Sequence, residues 1–172
     1  MTEFRFRKRH RLRQKEVAAM AERISSELGT SVFGDIIDID LAEGPGLDAV
    51  YVGGKILALV VDGVPFLTVR GLLAYGASKR YVTVDMGAVR FVYNGADVMG
   101  PGIVDCDPDI QVGDLVWVRD VNNKRPLAVG KALMSGREML AKPKGKAVKS
   151  IHHVGDRIWA LDEPQDEGAR KP

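Results

Sequence analysis

The chain has 172 residues, a net charge of +2, and 45% hydrophobic and 28% charged residues, a balance that is ordinary for a globular protein. It contains no run of about 18 apolar residues, and its charged N-terminus lacks the apolar centre of a signal peptide, so neither a membrane span nor export is expected. The single cysteine, Cys106, cannot form an internal disulfide or a cysteine-rich zinc site. We therefore expect a cytoplasmic protein.

Positive charge is concentrated at the N-terminus. Residues 1–15 hold seven Lys or Arg and one Glu, whereas residues 16–80 hold five basic and nine acidic side chains. Such clustering is typical of proteins that meet a polyanion on particular faces, although a solvated basic tail has the same composition. The candidates for contact with a polyanion such as RNA are Arg5, Arg7, Lys8, Arg9 and Arg11.

The first part of the chain, residues 1–78, is predicted to be a small α+β domain. Residues 4–7 alternate between Phe and Arg, the period of a half-exposed strand. Apolar residues from Val17 to Leu28 follow a helical period that Gly29 ends. Alternation over residues 36–40 predicts another strand, and Gly53-Gly54 predicts a hairpin between residues 47–52 and 55–61. A strand over residues 64–69 and a short helix over 71–75 complete the domain.

The second part, residues 79–162, reads as several short strands at the spacing of a closed or nearly closed barrel. Asp85 is predicted to cap a helix that Gly95 ends. The predicted strands cover residues 81–84, 103–106, 115–119, 127–134, 148–154 and 157–161, the last two forming a pair broken at Gly155-Asp156. Residues 163–172 are polar and are expected to be a frayed tail.

Four segments of the second part occur in the order found in one known domain. They are VDMGAVRFVYNGADVMGPGIVDCD, DIQVGDLVWVRD, PLAVGKALMSGREML and GKAVKSIHHVGDRIWAL. Together they resemble the PUA domain, a small RNA-binding pseudo-barrel, over roughly residues 79–161. The resemblance implies that RNA is bound across the first helix, its following loop and the final strand.

The segment that precedes the barrel narrows the resemblance. VPFLTVRGLLAYG, joined directly to the barrel motif, is similar to the translation-machinery-associated proteins of the malignant-T-cell-amplified-sequence type. This implies a pre-PUA domain followed by a PUA domain, with a role on tRNA or at the small ribosomal subunit. It also implies a partner protein with an SUI1-type domain, although the arginine-rich N-terminus departs from the eukaryotic members and leaves that partner open.

The residues themselves indicate how such a site would work. Arg90 and Asn94 lie four apart on the predicted helix and are surface neighbours. Gly95-Ala96 follows directly, where glycine lets an RNA backbone approach and leaves N–H groups free for phosphate, although glycine is also common as a simple helix stop. Later lysines would hold phosphates as point charges. The full set of predicted RNA contacts is Met86, Gly87, Arg90, Asn94, Gly95, Ala96, Asp97, Lys131, Arg137, Lys146, Lys149 and His152.

Three functions remain open on the sequence. The first is an RNA-binding translation factor that performs no catalysis and needs no cofactor or metal. The second is the RNA-binding subunit of an RNA-modifying enzyme, such as a split tRNA-guanine transglycosylase; against it, the chain has no Gly-rich cofactor loop and no zinc-ligand cluster. Asp38, Asp40 and Asp62 are interpreted as structural carboxylates and not as catalytic acids. The third is a protein-binding adaptor that uses the acidic region.

Overall fold

The computed structural model describes residues 5–36 and 38–162, which form two sheets joined by residues 76–80. The first sheet is antiparallel, in the order β1-β2-β3-β4-β5. Its strands are β1 (Arg7–Arg11), β2 (Ile39–Glu43), β3 (Asp48–Val52), β4 (Lys55–Val61) and β5 (Val64–Leu67). Two helices accompany it, α1 (Gln14–Leu28) and α2 (Val69–Tyr75).

The second sheet has six strands in the order β7-β11-β10-β9-β6-β8. They are β6 (Tyr81–Val84), β7 (Val98–Met99), β8 (Ile103–Cys106), β9 (Leu115–Asp120), β10 (Pro126–Ala132) and β11 (Lys146–His153). Its helices are α3 (Met86–Tyr93), α4 (Gly136–Leu140) and α5 (Arg157–Leu161). The two edge strands, β7 and β8, are joined by a 3₁₀ turn over Gly100–Gly102, so the sheet is a nearly closed barrel. The predicted α+β class and the barrel are confirmed.

Three predicted elements differ from the structure. Strand β1 begins at Arg7, and Phe4 lies outside the described residues. Strand β2 begins at Ile39, later than expected. Residues 157–161 form helix α5 and not a strand, because Asp156 caps them by accepting a hydrogen bond from the N–H of Trp159 at 2.9 Å. The predicted tail, residues 163–172, also lies outside the described residues.

One apolar core spans both sheets. Ile24 and Leu28 of α1 are fully buried together with Phe66 of β5, and the same cluster includes Trp117 and Ile158 from the second half. A separate cluster fills the barrel interior, where Val82, Val92 and Val148 belong to it. Since the first core contains side chains from both halves, separating the two sheets would expose apolar surface. No helix within residues 5–36 and 38–162 is long and apolar enough to span a membrane.

His152 connects the two sheets by hydrogen bonds in two directions. Its side chain is buried, its Nε2 accepts the N–H of Val69 at 3.2 Å, and its Nδ1 lies 2.9 Å from Oδ2 of Asp156. The Val69 N–H requires a lone pair on Nε2, which assigns the proton to Nδ1, where it is donated to the Asp156 carboxylate. Both ring nitrogens are therefore used inside the protein. The prediction that His152 contacts RNA is wrong because the ring is not at the surface.

The carboxylate of Asp156 is held ionised by these contacts. Burial by itself would raise the pKa of Asp156, but the hydrogen bond from His152, together with those from the N–H groups of Trp159 and His153, outweighs burial and lowers it. A carboxylate whose pKa is lower in the folded state stabilises the fold above its ordinary pKa. That stabilisation is lost as pH falls through the folded-state value.

We predict that Asp156→Asn lowers the free energy of unfolding at neutral pH by about 1–3 kcal/mol, because it removes the anion that satisfies His152 and two N–H groups. The difference in the free energy of unfolding between this variant and the wild type should shrink as pH falls below about 4, because the wild-type carboxylate then loses its charge by protonation. Urea unfolding at a series of pH values measures both effects. The matched control is Asp105→Asn, at an exposed position, where a change within about 0.5 kcal/mol is expected. Equal effects of the two substitutions would contradict the structural role of Asp156.

Candidate nucleic-acid interface

Helix α3 and the loop after it lie along one edge of the barrel. Asp85 starts the helix by accepting the N–H of Ala88 at 2.9 Å, as the sequence predicts. Val92 is buried in the barrel core, which leaves Arg90 and Asn94 exposed on the helix surface. The helical period explains why Arg90 and Asn94 share the outer face, because residues three or four positions apart lie on the same side of a helix.

The loop over residues 95–97 leads into strand β7, which pairs antiparallel with β11. Asp97 accepts the N–H of Ser150 at 2.9 Å and pairs with the ammonium group of Lys146 at 3.2 Å. These two contacts outweigh the effect of burial and hold the pKa of Asp97 below its ordinary value. Further along, Val98 pairs with Val148 and Met99 pairs with Lys146. We call residues 86–97, with Met99 and Lys146, the α3 surface.

An apolar groove of about 650 Å³ crosses the α3 surface. Phe91 and Met99 are 54% and 47% exposed, respectively, and both line the groove. Pro101, Gly102 and Lys146 also line the groove. Exposed apolar side chains beside cations are suited to stacking on nucleobases while the cations meet phosphates. Sequence reasoning missed Phe91 and Met99, although the inward position of Val92 on a helical period predicts that Phe91 faces outward.

The backbone N–H groups after α3 are not available to phosphate, contrary to the prediction from the sequence. The N–H of Gly95 donates to the carbonyl of Val92 at 3.0 Å, and the N–H of Ala96 donates to the carbonyl of Phe91 at 2.9 Å. These bonds satisfy carbonyl groups that the helix end would otherwise leave unpaired. Glycine is nonetheless required, because Gly95 has φ +85° and a Cβ there would lie 2.9 Å from Nε2 of His153. Thus His153, and not His152, is the histidine beside this loop.

The structure brings together most of the predicted site but not all of it. Gly87, Ala96, Asp97 and Lys146 line one groove, and the other predicted contacts between residues 86 and 95 belong to the same helix and the loop after it. Lys149 is exposed and pairs across the ladder with Lys131 of β10. Lys131 in turn lies 3.8 Å from Asp62 of the first sheet. Arg137 is on α4, which packs against β8, whereas α3 packs against β10 and β11.

The predicted N-terminal contacts are partly occupied by acidic neighbours. Asp40 of β2 pairs with Arg9 at 2.8 Å and with Arg11 at 2.5 Å, while Lys8 lies 3.8 Å from Glu43. The guanidinium group of Arg11, followed by that of Arg9, lowers the pKa of Asp40. These pairs attach the edge strand β1 to β2, which gives three of the five candidate cations a structural role.

No metal site is evident among residues 5–36 and 38–162, where no three His, Cys, Asp or Glu side chains come together. Cys106 is buried, and burial raises the pKa of its thiol to about 11. A thiol with that pKa is almost entirely protonated at neutral pH and is a poor nucleophile. The thiol donates to the carbonyl oxygen of Gly136, which lies 3.2 Å from Sγ, and this contact is consistent with the structural role expected from the sequence.

Comparisons with known proteins agree with this architecture. The sequence profile of the PUA domain matches residues 80–154. A conserved PUA-domain protein from Thermoplasma acidophilum has 32% identity and a TM-score of 0.76, with 89% of this chain and 98% of that chain covered. The chain belongs to the PUA-domain proteins. An uncharacterised protein of Methanocaldococcus jannaschii is 40% identical over 161 residues, covering 89% of this chain and 96% of the relative.

A further PUA-domain relative has a functional name. Translation machinery-associated protein 20 of Eremothecium gossypii is 34% identical over 98 residues, which is 54% of each chain. The PUA match and this name support an RNA-binding, translation-related role. The resemblance seen in the sequence is thereby confirmed.

The two glycines of the α3 surface give opposite predictions. Gly95→Ala should destabilise the protein by about 1–2 kcal/mol, because it forces a side chain into a left-handed backbone and against His153. Gly87→Ala is the matched control: it lies in α3, its Cβ would meet only Asp85 at 3.4 Å, and alanine favours a helix by up to about 1 kcal/mol over glycine. Thermal unfolding of both variants checks the pair. A Gly95→Ala variant as stable as the wild type would contradict the described loop.

Proposed function

We propose that this PUA-domain protein binds RNA through the α3 surface and acts in translation, on tRNA or at the small ribosomal subunit, without catalysing a reaction. The observation that carries the proposal is the exposed apolar groove with Phe91 and Met99 beside the cations Arg90 and Lys146. The name of the Eremothecium gossypii relative supports the translation assignment. A cytoplasmic location belongs to the same proposal.

The α3 surface would make two kinds of contact with RNA, one with phosphates and one with bases. Arg90 and Lys146 would meet phosphates, which gives affinity for any RNA of suitable shape. Phe91 and Met99 would contact the faces of bases. Because an RNA duplex keeps those faces stacked inside its helix, these contacts require unpaired bases. Gly87 is exposed on α3, and a Cβ there would meet only Oδ1 of Asp85 at 3.4 Å, so a backbone can approach the helix there. Asp97 holds Lys146 in place and, as an anion, disfavours a phosphate directly next to it.

The N-terminal cations form a secondary part of the proposal. Arg5 and Arg7 are exposed, and they are better placed to meet RNA than Arg9 and Arg11, which are engaged with Asp40. An ion pair already made must be broken or shared before its cation can neutralise a phosphate. Arg90 of the α3 surface has no ion pair among the described residues, and we therefore rank it above Arg9 and Arg11 as an RNA contact.

We predict that the protein binds labelled tRNA with an affinity that falls steeply with salt, by about 0.7–0.9 in log–log slope for each phosphate contact. Arg90→Glu should weaken binding at low salt by about tenfold or more and make the slope shallower. Fluorescence anisotropy across a salt series measures both quantities.

The control for this prediction is Lys15→Glu, which makes the same change of charge at an exposed position of α1. Circular dichroism should show that both variants are folded. If the wild type does not bind tRNA or ribosomal RNA at low salt, the proposed function is wrong. If Arg90→Glu and Lys15→Glu weaken binding equally, RNA senses the overall charge and not the α3 surface.

Co-purification tests the setting in which the protein works. A translation factor should sediment with small ribosomal subunits, and this association should be lost in the Arg90→Glu variant. The partner with an SUI1-type domain, implied by the family resemblance, should remain bound after nuclease treatment because it would contact protein and not RNA. Recovery of a catalytic RNA-modifying subunit in place of ribosomal subunits would instead favour a role as the RNA-binding part of an enzyme.

A further inference from the structure

The exposed cations of the barrel differ in whether an acidic side chain already balances them. Lys131 and Lys146 lie 3.8 and 3.2 Å from a carboxylate oxygen. Lys142 and Lys144 are exposed, and no ion pair joins either of them to an acidic residue within the described parts of the chain. A cation without an acidic partner can bind an incoming anion directly, because no existing ion pair has to be broken first. Both residues lie between α4 and β11, and we call residues 141–145 the cationic loop.

The cationic loop is packed directly against one wall of the α3 groove. The N–H of Gly100 donates to the carbonyl of Gly145 at 2.9 Å. A Cβ at Gly100 would overlap the carbonyl oxygen of Pro143, so only glycine permits this approach. Gly100 begins the 3₁₀ turn whose Pro101 and Gly102 line the groove. The loop and the groove therefore share one piece of backbone.

Chain geometry places the two lysines within reach of the same RNA strand. Successive Cα atoms are 3.8 Å apart, so the Cα of Lys144 lies at most about 8 Å from that of Lys146, and the Cα of Lys142 at most about 15 Å. On the other side, the loop follows α4 at once, and the N–H of Lys142 bonds to the carbonyl of Met139 at 2.9 Å. Along the chain, the cationic loop therefore lies between Arg137 of α4 and Lys146 of the α3 surface.

We propose that the cationic loop is a second phosphate-binding region, in which Lys142 and Lys144 hold the backbone of the RNA strand as it leaves the α3 groove toward α4. The inference rests on the proposed function, because the groove supplies the base contacts that fix where the strand starts. An RNA backbone fits better than an acidic protein surface, since the lysines continue the path of a groove with exposed Phe91 and Met99, onto which nucleobases stack.

The test is the double substitution Lys142→Gln with Lys144→Gln, assayed for binding of labelled tRNA over a salt series. Loss of two phosphate contacts should weaken binding by about tenfold and make the log–log salt slope shallower by about 1.4–1.8. The matched control is Lys15→Gln with Lys55→Gln, which removes the same charge from exposed positions of the first half. That pair should change the affinity by less than about threefold.

The outcomes separate this inference from the proposed function. If the double variant binds like the wild type while Arg90→Glu loses affinity, the cationic loop is not a phosphate site and the proposed function stands. If the loop pair and the control pair weaken binding equally, general charge explains the effect and the inference is overturned. If the wild type does not bind RNA, both fail. If the double variant still binds RNA but loses a protein partner that otherwise remains bound after nuclease treatment, the loop binds that partner instead.

A second readout does not depend on any variant. Bound RNA should protect Lys142 and Lys144 from acylation by an amine-reactive reagent, measured by mass spectrometry of the wild-type protein. Lys55 should react at the same rate with and without RNA. Unchanged reactivity of both loop lysines at saturating RNA would overturn the inference.

Discussion

The buried imidazole of His152 is the constraint on which the rest of the arrangement depends. It accepts an N–H at the start of α2 and lies against Asp156, and Asp156 in turn caps α5. Asp162, at the end of α5, accepts the N–H of Ile56 in β4 at 2.6 Å. The last strand and the last helix of the barrel are thereby fixed to the first sheet. Because His153 is next in the chain and stands against Gly95, the same constraint fixes the end of α3 and the loop that follows it.

The second determinant is how the acidic side chains are distributed among the cations. Asp40 occupies Arg9 and Arg11, Asp62 lies near Lys131, and Asp97 holds Lys146. A count of basic residues along the sequence ranks the N-terminus first, because it takes no account of these neighbours. In the folded chain the available charge lies instead around α3 and the cationic loop. Arg90, Lys142 and Lys144 thus have no ion pair among the described residues, and they lie in the part of the chain where the family resemblance already places the RNA contact.

Local signals predicted most of the fold, and long-range contacts account for what they missed. Asp85, Gly95 and the Gly53-Gly54 turn mark element ends that the structure shows, since caps and turns depend on a few adjacent residues. Residues 157–161 were predicted as a strand because RIWAL is short and apolar, and periodicity cannot distinguish a short helix from a buried strand. The burial of His152 depends on Val69, 83 positions away in the sequence, and no local pattern reports it. Likewise, the N–H groups of Gly95 and Ala96 donate to carbonyl groups at the end of α3. This depends on the geometry of the helix end, which composition does not reveal.

Closure of the barrel explains why the groove and the cationic loop are adjacent. Strands β7 and β8 are opposite edges of the sheet, and the Gly100-Pro101-Gly102 turn joins them in three residues. So short a connection leaves little conformational freedom, and the bond from Gly100 to Gly145 fixes the neighbouring loop to the same turn. Cations held in position before RNA arrives lose less entropy on binding than cations on a free tail. In the proposed function, RNA would therefore meet Lys142 and Lys144 on backbone that the barrel already holds in place.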